Sequence, residues 1–317
     1  MAESSGRGWT RRAMLAAPAL ALASGSSMGA DRQPVQVPGA WVRDMVSREG
    51  LAYRVFLWRP AGAPPAEGFG VTYLLDGNAV FGTAVDIARL AAEGFGPRRP
   101  PPRAIVAIGY PGEAPIDMRR RTLDLTPPAT GGEPPPRADG RPWPPSGGAD
   151  RLLDFIEQEL KPLVAAELPA DPARSSLFGH SFGGLLALHC LFTRPASFAA
   201  YVAASPSIWW NGSAILGEER AFAAAGGPAR ETRLLLSAGG EEQPPAGTGS
   251  ADPHERLRRE ARLVDNAREM AARLAGIPRL AVSFALFEGE THGSVIPAAL
   301  ARGLRFAAEA PSDPGRE

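Results

Sequence analysis

Ser181 stands in Gly179-His180-Ser181-Phe182-Gly183-Gly184, after the apolar pair Leu177-Phe178 and before Leu185-Leu186-Ala187-Leu188. A G-x-S-x-G pattern set between a strand and a helix makes a turn so sharp that the serine is left exposed at its apex. A Cβ at Gly179 or Gly183 is expected to collide with neighbouring backbone. The hydroxyl then faces the positive end of the following helix, where the Phe182 N–H is free to meet developing negative charge. Such a serine suits nucleophilic attack on a carbonyl carbon.

The attack needs a base and a group that fixes the base. Four histidines are available. His180 adjoins the serine and is expected to point away and pack, His189 falls within a helix, and His254 opens one. His292, in Glu288-Gly289-Glu290-Thr291-His292-Gly293, follows a predicted strand at the sheet end where α/β proteins place their sites. It is the predicted general base. The orienting acid is sought between Ser181 and His292, at Glu241 or Glu242 after another predicted strand, with Asp265 as the fallback. A second oxyanion donor is expected after an earlier strand, at Asp76-Gly77-Asn78, from the Asn78 N–H beside that of Phe182.

These residues need a scaffold. The alternating segments 41–46 and 53–58 predict a β-hairpin at a sheet edge, with Gly50 near its turn. Apolar runs 71–75, 104–108, 175–178, 198–204, 232–238 and 280–287 predict buried strands. Helical patterns at 79–93, 150–167, after Ser181 and at 294–308 alternate with them. Leu257, Ala261, Val264, Ala267, Ala271 and Leu274 add one more helical stripe. This order predicts a largely parallel, doubly covered sheet. Residues 111–148 interrupt it with a proline- and glycine-rich stretch, expected to be a loop over the site. Within it Arg121 either pairs with Asp124 or contacts substrate. Of the adjacent Trp209 and Trp210, one is expected to pack in the core and the other to line an aromatic-binding cleft.

Composition sets bounds. Thirty-four basic and thirty-four acidic residues cancel in 317, which gives no electrostatic case for nucleic acid or an anionic membrane. The lone Cys190 permits neither an intrachain disulfide nor a cysteine zinc cluster. No Cys/His ligand spacing or phosphate-binding loop is present, so neither metal nor cofactor is expected. Arg11-Arg12 ahead of a short apolar run reads as a twin-arginine export signal over residues 1–30. Residues 31–317 are then one domain of a periplasmic or secreted protein. The apolar run is too short for a permanent membrane anchor.

Five segments carry a resemblance: Tyr73 to Asn78, Arg121 to Pro127, Gly179 to Gly184, Ser205 to Trp210, and Gly289 to Val295. In this order they resemble the putative-esterase family of α/β-hydrolases, and within it the periplasmic siderophore esterases. The resemblance implies an α/β-hydrolase fold, with a mostly parallel sheet of about eight strands covered by helices on both faces. It implies a serine carboxylic ester hydrolase with Ser181 and His292 as catalytic pair, Asn78 and Phe182 as oxyanion amides, and Glu242 favoured over Glu241 by the Gly239 to Glu242 pattern. Some periplasmic members are described as working with little help from the acid. Arg121 is implied in binding an anionic or catecholate group, with Trp209 and Trp210 as further substrate contacts. The implied partner is a catecholate siderophore trilactone, possibly carrying iron. The alternatives are a general acyl esterase, or a siderophore-binding protein without turnover, against which Ser181 and His292 speak.

Overall fold

Alternation builds the second strand, and continuous apolar runs build the central ones. In β2 (Ala52–Trp58) Tyr53, Val55 and Leu57 are fully buried, whereas Arg54 and Phe56 between them are half-covered. The sheet edge β1 (Ala40–Val46) pairs with it antiparallel. By contrast β3 (Phe69–Leu74) and β4 (Arg103–Gly109) are buried along their whole length, as strands covered on both faces must be. They are joined by β5 (Ala170–His180), β6 (Ala200–Ala204), β7 (Thr232–Gly239) and β8 (Leu280–Phe287), in the order β1-β2-β4-β3-β5-β6-β7-β8. All pairs from β4 to β8 are parallel, and β2 meets β4 antiparallel.

This computed structural model describes residues 34–94, 100–129, 133–134, 136–137, 139–245 and 252–309. The predicted export signal at 1–30 lies outside them. The chain divides into 1–36 and a unit spanning Val37–Glu317, which holds the sheet and all the elements below.

Ten helices accompany the sheet among the described residues. They are α1 (Gly77–Glu93), α2 (Met118–Asp124), α3 (Ala149–Phe155), α4 (Lys161–Glu167), α5 (Phe182–Thr193), the short turn α6 (Trp210–Ser213), α7 (Ile215–Ala224), α8 (Pro253–Ala261), α9 (Leu263–Leu274) and α10 (Val295–Ala308). On one face Val80 and Val85 of α1 and Ala299, Leu300 and Leu304 of α10 meet Ile105, Phe178 and Val202. On the other, α3, α4, α5, α7 and α9 cover Tyr73, Leu177, Tyr201 and Leu234. This is the expected α/β-hydrolase fold. No described helix is long and apolar enough to cross a membrane.

Three elements differ from expectation. The helix over 150–167 is interrupted by a π-helical turn, Ile156–Leu160, just ahead of Pro162, which has no N–H to donate to the preceding turn. The expected loop 111–148 contains α2, whose first turn is capped by the Asp117 carboxylate accepting the Arg120 N–H. The stripe from Leu257 to Leu274 divides into α8 and α9 at Arg262, which adopts φ 45°. Cys190 is wholly buried in α5, and burial pushes its thiol up to about 12.

One buried cation ties the layers together. The Arg103 guanidinium donates to Thr72 Oγ1, Ser176 Oγ and the carbonyls of Val71, Arg174 and Ala307, at 2.8–3.0 Å. It thereby joins β3, β4, β5 and α10. Arg103→Met leaves those acceptors without their donor and is expected to lower the unfolding free energy by about 3 kcal/mol. The measurement is the urea midpoint at unchanged m-value, and an unchanged midpoint would refute the role.

Candidate active site

The elbow comes first. Ser181 sits between β5 and α5 at φ 61° and ψ −117°, a conformation that costs an L-residue about 1–3 kcal/mol. Three main-chain hydrogen bonds hold it there. The Ser181 N–H donates to Ala204 O at 3.0 Å, and the Ser181 carbonyl accepts from Leu185 N–H at 3.0 Å and Ser207 N–H at 3.2 Å. A Cβ at Gly179 would overlap the Gly183 carbonyl, so glycine is required there. Gly183 differs from expectation, because a Cβ there would meet Leu75 side-chain atoms at an ordinary 3.5 Å. The second crowded position is Gly184, where a Cβ would lie 2.8 Å from Ala204 O.

The base and its partner arrive from the next strand ends. His292 follows β8, in a turn where the Thr291 N–H donates to Ser294 Oγ at 2.9 Å and the Val295 N–H to Thr291 O at 3.0 Å. Its Nδ1 lies 2.8 Å from Glu242 Oε1. The other carboxylate oxygen accepts the Gly239 N–H at 3.0 Å, and the Glu242 side chain is fully buried. The Glu241 N–H donates to Glu290 O at 3.0 Å, which fastens the two strand-end loops together. Glu241 itself is exposed. Asp265 is occupied elsewhere, its Oδ2 accepting from Gln243 Nε2 at 2.6 Å. Glu242 is thus the carboxylate that the fold joins to His292. With Nδ1 engaged, Nε2 is the ring nitrogen left for proton transfer.

Ser181 and His292 line one cavity of about 320 Å³, with Ser207, Trp209, Leu257 and Thr291. Ser181 Oγ lies 3.5 Å from Ser207 Oγ. His180 is buried as expected, but it does not point away. Its ring lies 4.5 Å from that of His292, tilted by 42°. Burial, with His292 and Arg121 adding to it, holds His180 well below the ordinary imidazole range and so neutral. Nitrogen and oxygen atoms of His180, Glu242 and His292 fall within 4.8 Å of one another. Glu242 and His292, however, are hydrogen-bonded at 2.8 Å, closer than the roughly 3.3 Å between two ligands of a tetrahedral ion.

The oxyanion side is built by helix starts. Asn78 is the second residue of α1, so its N–H has no intrahelical acceptor, and Phe182 at the start of α5 is placed likewise. The Asn78 side chain clamps the segment, donating to Tyr110 O at 3.0 Å and accepting the Tyr110 N–H at 2.8 Å.

Two expectations about substrate contacts need correction. Arg121 is buried and grips Asp76 with two hydrogen bonds of 3.0 Å, while Asp124 pairs with Arg120. Arg121 also donates to His180 O at 3.4 Å and lies over the Phe182 ring. It braces the Asp76–Asn78 segment against the elbow, and the Asp76 carboxylate takes the place assigned to substrate. Trp210 is buried, edge-on to Phe182 and Trp143 at 4.7 and 5.0 Å. Trp209 alone of the pair reaches the cavity. Trp143, unremarked in the sequence, is the aromatic that the proline-rich loop sets against Phe182 and both tryptophans. Its only signal was a lone large ring among prolines.

The steric asymmetry of the elbow is testable. Gly183→Ala is expected to keep Tm within about 2 °C of the parent, whereas Gly179→Ala and Gly184→Ala each lower it by about 5 °C or more or abolish soluble expression. Equal melting curves for all three would contradict this geometry.

Comparison with known proteins agrees with this arrangement. The family described as "Putative esterase" matches residues 50–273. The chain is 39% identical over 280 residues to the ferri-bacillibactin esterase BesA of Bacillus subtilis, covering 86% of this chain and 90% of that one. It is 44% identical over 249 residues to the siderophore triacetylfusarinine C esterase of Aspergillus fumigatus, covering 74% and 80%. The solved siderophore hydrolase EstA from Aspergillus nidulans superposes with a TM-score of 0.77 at 34% identity, over 87% of this chain and 97% of the other. The strand order, the serine elbow and these matches together make the chain a member of the putative esterase family of α/β-hydrolases.

Proposed function

We propose that this protein is a serine carboxylic ester hydrolase that cleaves the ester bonds of a siderophore, a catecholate trilactone foremost. The observation that carries the chemistry is the buried Glu242 held on Nδ1 of His292, a histidine that shares one cavity with Ser181. The substrate class is supported by the relatives named for siderophore esters.

Ser181 Oγ attacks the ester carbonyl and its proton passes to His292 Nε2. The charge that forms on the ring is met by Glu242 across the Nδ1–H bond. Negative charge on the former carbonyl oxygen is received by the N–H groups of Phe182 and Asn78, each group contributing on the order of 3 kcal/mol to the barrier. Collapse expels the alcohol, which takes the proton from His292 and leaves an acyl-serine. Water, deprotonated by His292, then attacks the acyl carbon and frees Ser181. Ser207 adjoins the nucleophile, and Trp209 and Leu257 supply apolar walls for the acyl part.

The test is mass spectrometry of products from a tricatecholate trilactone, where successive additions of water are expected. Ser181→Ala is expected to abolish them, at a loss of about 10⁴-fold or more, with an unchanged far-ultraviolet spectrum. Glu242→Gln is expected to slow turnover on the order of 10³-fold and Glu241→Gln by no more than about twofold. The reverse order would move the acid by one position, and full activity in both would make the site a Ser–His pair.

Arg121 acts by holding two backbone segments in place. Arg121→Lys cannot reproduce the two-pronged grip on Asp76. It is expected to lower kcat at least about tenfold while KM changes by less than about threefold. A change confined to KM would restore Arg121 to the substrate.

A further inference from the structure

Ser181 and its partners use the carboxyl ends of the parallel strands. A separate cavity of about 460 Å³ opens at the other end of the sheet, where β5 begins and where the chain enters β6 and β7. A break in strand pairing makes room for it. Phe69 pairs with Ala170 but Val71 with Ser175, so an advance of two residues on β3 is matched by five on β5. The extra residues bulge out of the ladder, and Asp171, Pro172 and Ala173 among them line the cavity. Lys161 and Val164 of α4 line it too, with Glu157, which the π-helical turn carries. Such turns recur at functional sites, and this one contributes nothing to the catalytic cavity.

Two polar groups of this cavity are left without a matching partner. Tyr73 lines it beside Val71 and is only 3% exposed, yet its hydroxyl makes no hydrogen bond among the described residues. Burial first, and the charge of Glu157 second, hold its proton above the ordinary phenol range, so the group is a donor. A donor so nearly buried calls for an acceptor that enters the cavity. Arg230 is the second group. It donates to the Ala196 carbonyl at 2.8 Å and forms no ion pair among the described residues. The remaining charges are matched locally. Lys161 Nζ donates to Glu157 and to the Ser197 carbonyl, both at 2.6 Å, and lies 4.0 Å from the centre of the Phe198 ring. Asp171 accepts the Ala173 N–H at 2.9 Å and faces Arg174 at 3.7 Å. Glu231, next to Arg230 in the chain, does not line the cavity. One guanidinium therefore remains without a carboxylate, beside apolar surface from Val71, Val164 and Pro172.

We propose that this cavity is a second binding site, apart from the catalytic one, for a small organic carboxylate with an apolar body. Arg230 takes the carboxylate, for which a guanidinium is the fitting donor. The body lies against the apolar wall, and the Tyr73 hydroxyl donates to an oxygen of the ligand. The volume is within the range of small-molecule sites, about 300–1,000 Å³. An amine finds no free carboxylate of the same kind, since Glu157 and Asp171 already face cations. No group of this site serves Ser181 or His292, so the proposal stands apart from the ester chemistry.

The probe is 4-hydroxybenzoate, followed by ligand-observed nuclear magnetic resonance with the full chain, before and after diisopropyl fluorophosphate treatment to cap Ser181. Saturable binding is expected in both samples, with a Kd of about 1 mM or tighter. The neutral 4-hydroxybenzyl alcohol is expected to bind at least about tenfold more weakly. Arg230→Gln is expected to weaken binding of the acid about tenfold and Tyr73→Phe about threefold or more. Both variants are expected to hydrolyse p-nitrophenyl butyrate within about twofold of the parent rate. Absence of saturable binding, equal affinity for acid and alcohol, or parental affinity in both variants overturns the proposal. Binding that vanishes once Ser181 is capped places the acid in the catalytic cavity and overturns it as well. None of these outcomes bears on the hydrolysis of siderophore esters.

Discussion

The ion pair of Asp76 with Arg121 is the contact on which the site depends. Asp76 ends β3 and adopts a left-handed φ of 55° as it turns the chain into α1. Its carboxylate is met by a guanidinium that also touches the His180 carbonyl and the Phe182 ring. One buried cation thus fixes the distance between two helix starts, each presenting an unclaimed N–H. Both partners are nearly removed from water, and desolvation opposes the pairing of ions. The two parallel hydrogen bonds are the geometry in which arginine recovers that cost. A pair placed here contributes more to position than to stability.

The acid and base belong to a different part of the sheet. Ser181 and its main-chain supports come from the carboxyl ends of β5 and β6, and Glu242 and His292 from those of β7 and β8. Glu242 is fixed at both oxygens, by Gly239 and by His292, and His180 lies against the imidazole from the elbow side. The histidine is thus held from both sides, by a charged acceptor and by a neutral ring. Held this way, the ring keeps Nε2 available without having to be oriented when substrate arrives.

Much of this was legible in the residues. The hairpin, the parallel strands and the elbow announced themselves through alternation, apolar runs and glycine spacing. Ser181 is marked by the glycine-flanked elbow, and His292 and the Glu241–Glu242 pair each follow a strand, where the carboxyl ends of an α/β sheet gather its sites; between the two glutamates only the family resemblance favoured Glu242. What the sequence hid were choices of partner. Arg121 and Asp124 share a helix turn, yet Asp124 takes Arg120, and Arg121 reaches back forty-five positions to Asp76. Nothing in local spacing reports such a pairing. Trp209 and Trp210 are neighbours in a turn that sends their rings to different surroundings, and Trp143 completes the cluster from a segment without periodicity. Gly183 and Gly184 read alike, but only the second lies against the Ala204 carbonyl. Packing decides each of these, and packing is a property of the assembled sheet.

Cys190 has a consequence of its own. The thiol sits buried in the second half of the helix that the nucleophile's turn begins, and its proton is held far more tightly than in a free thiol. Thiol-alkylating agents react with thiolate, so the folded chain offers them almost nothing. It offers them its single thiol once that helix leaves the sheet. The molecule therefore carries its own clock: covalent labelling at one atom counts the moments when the scaffold beneath the serine opens.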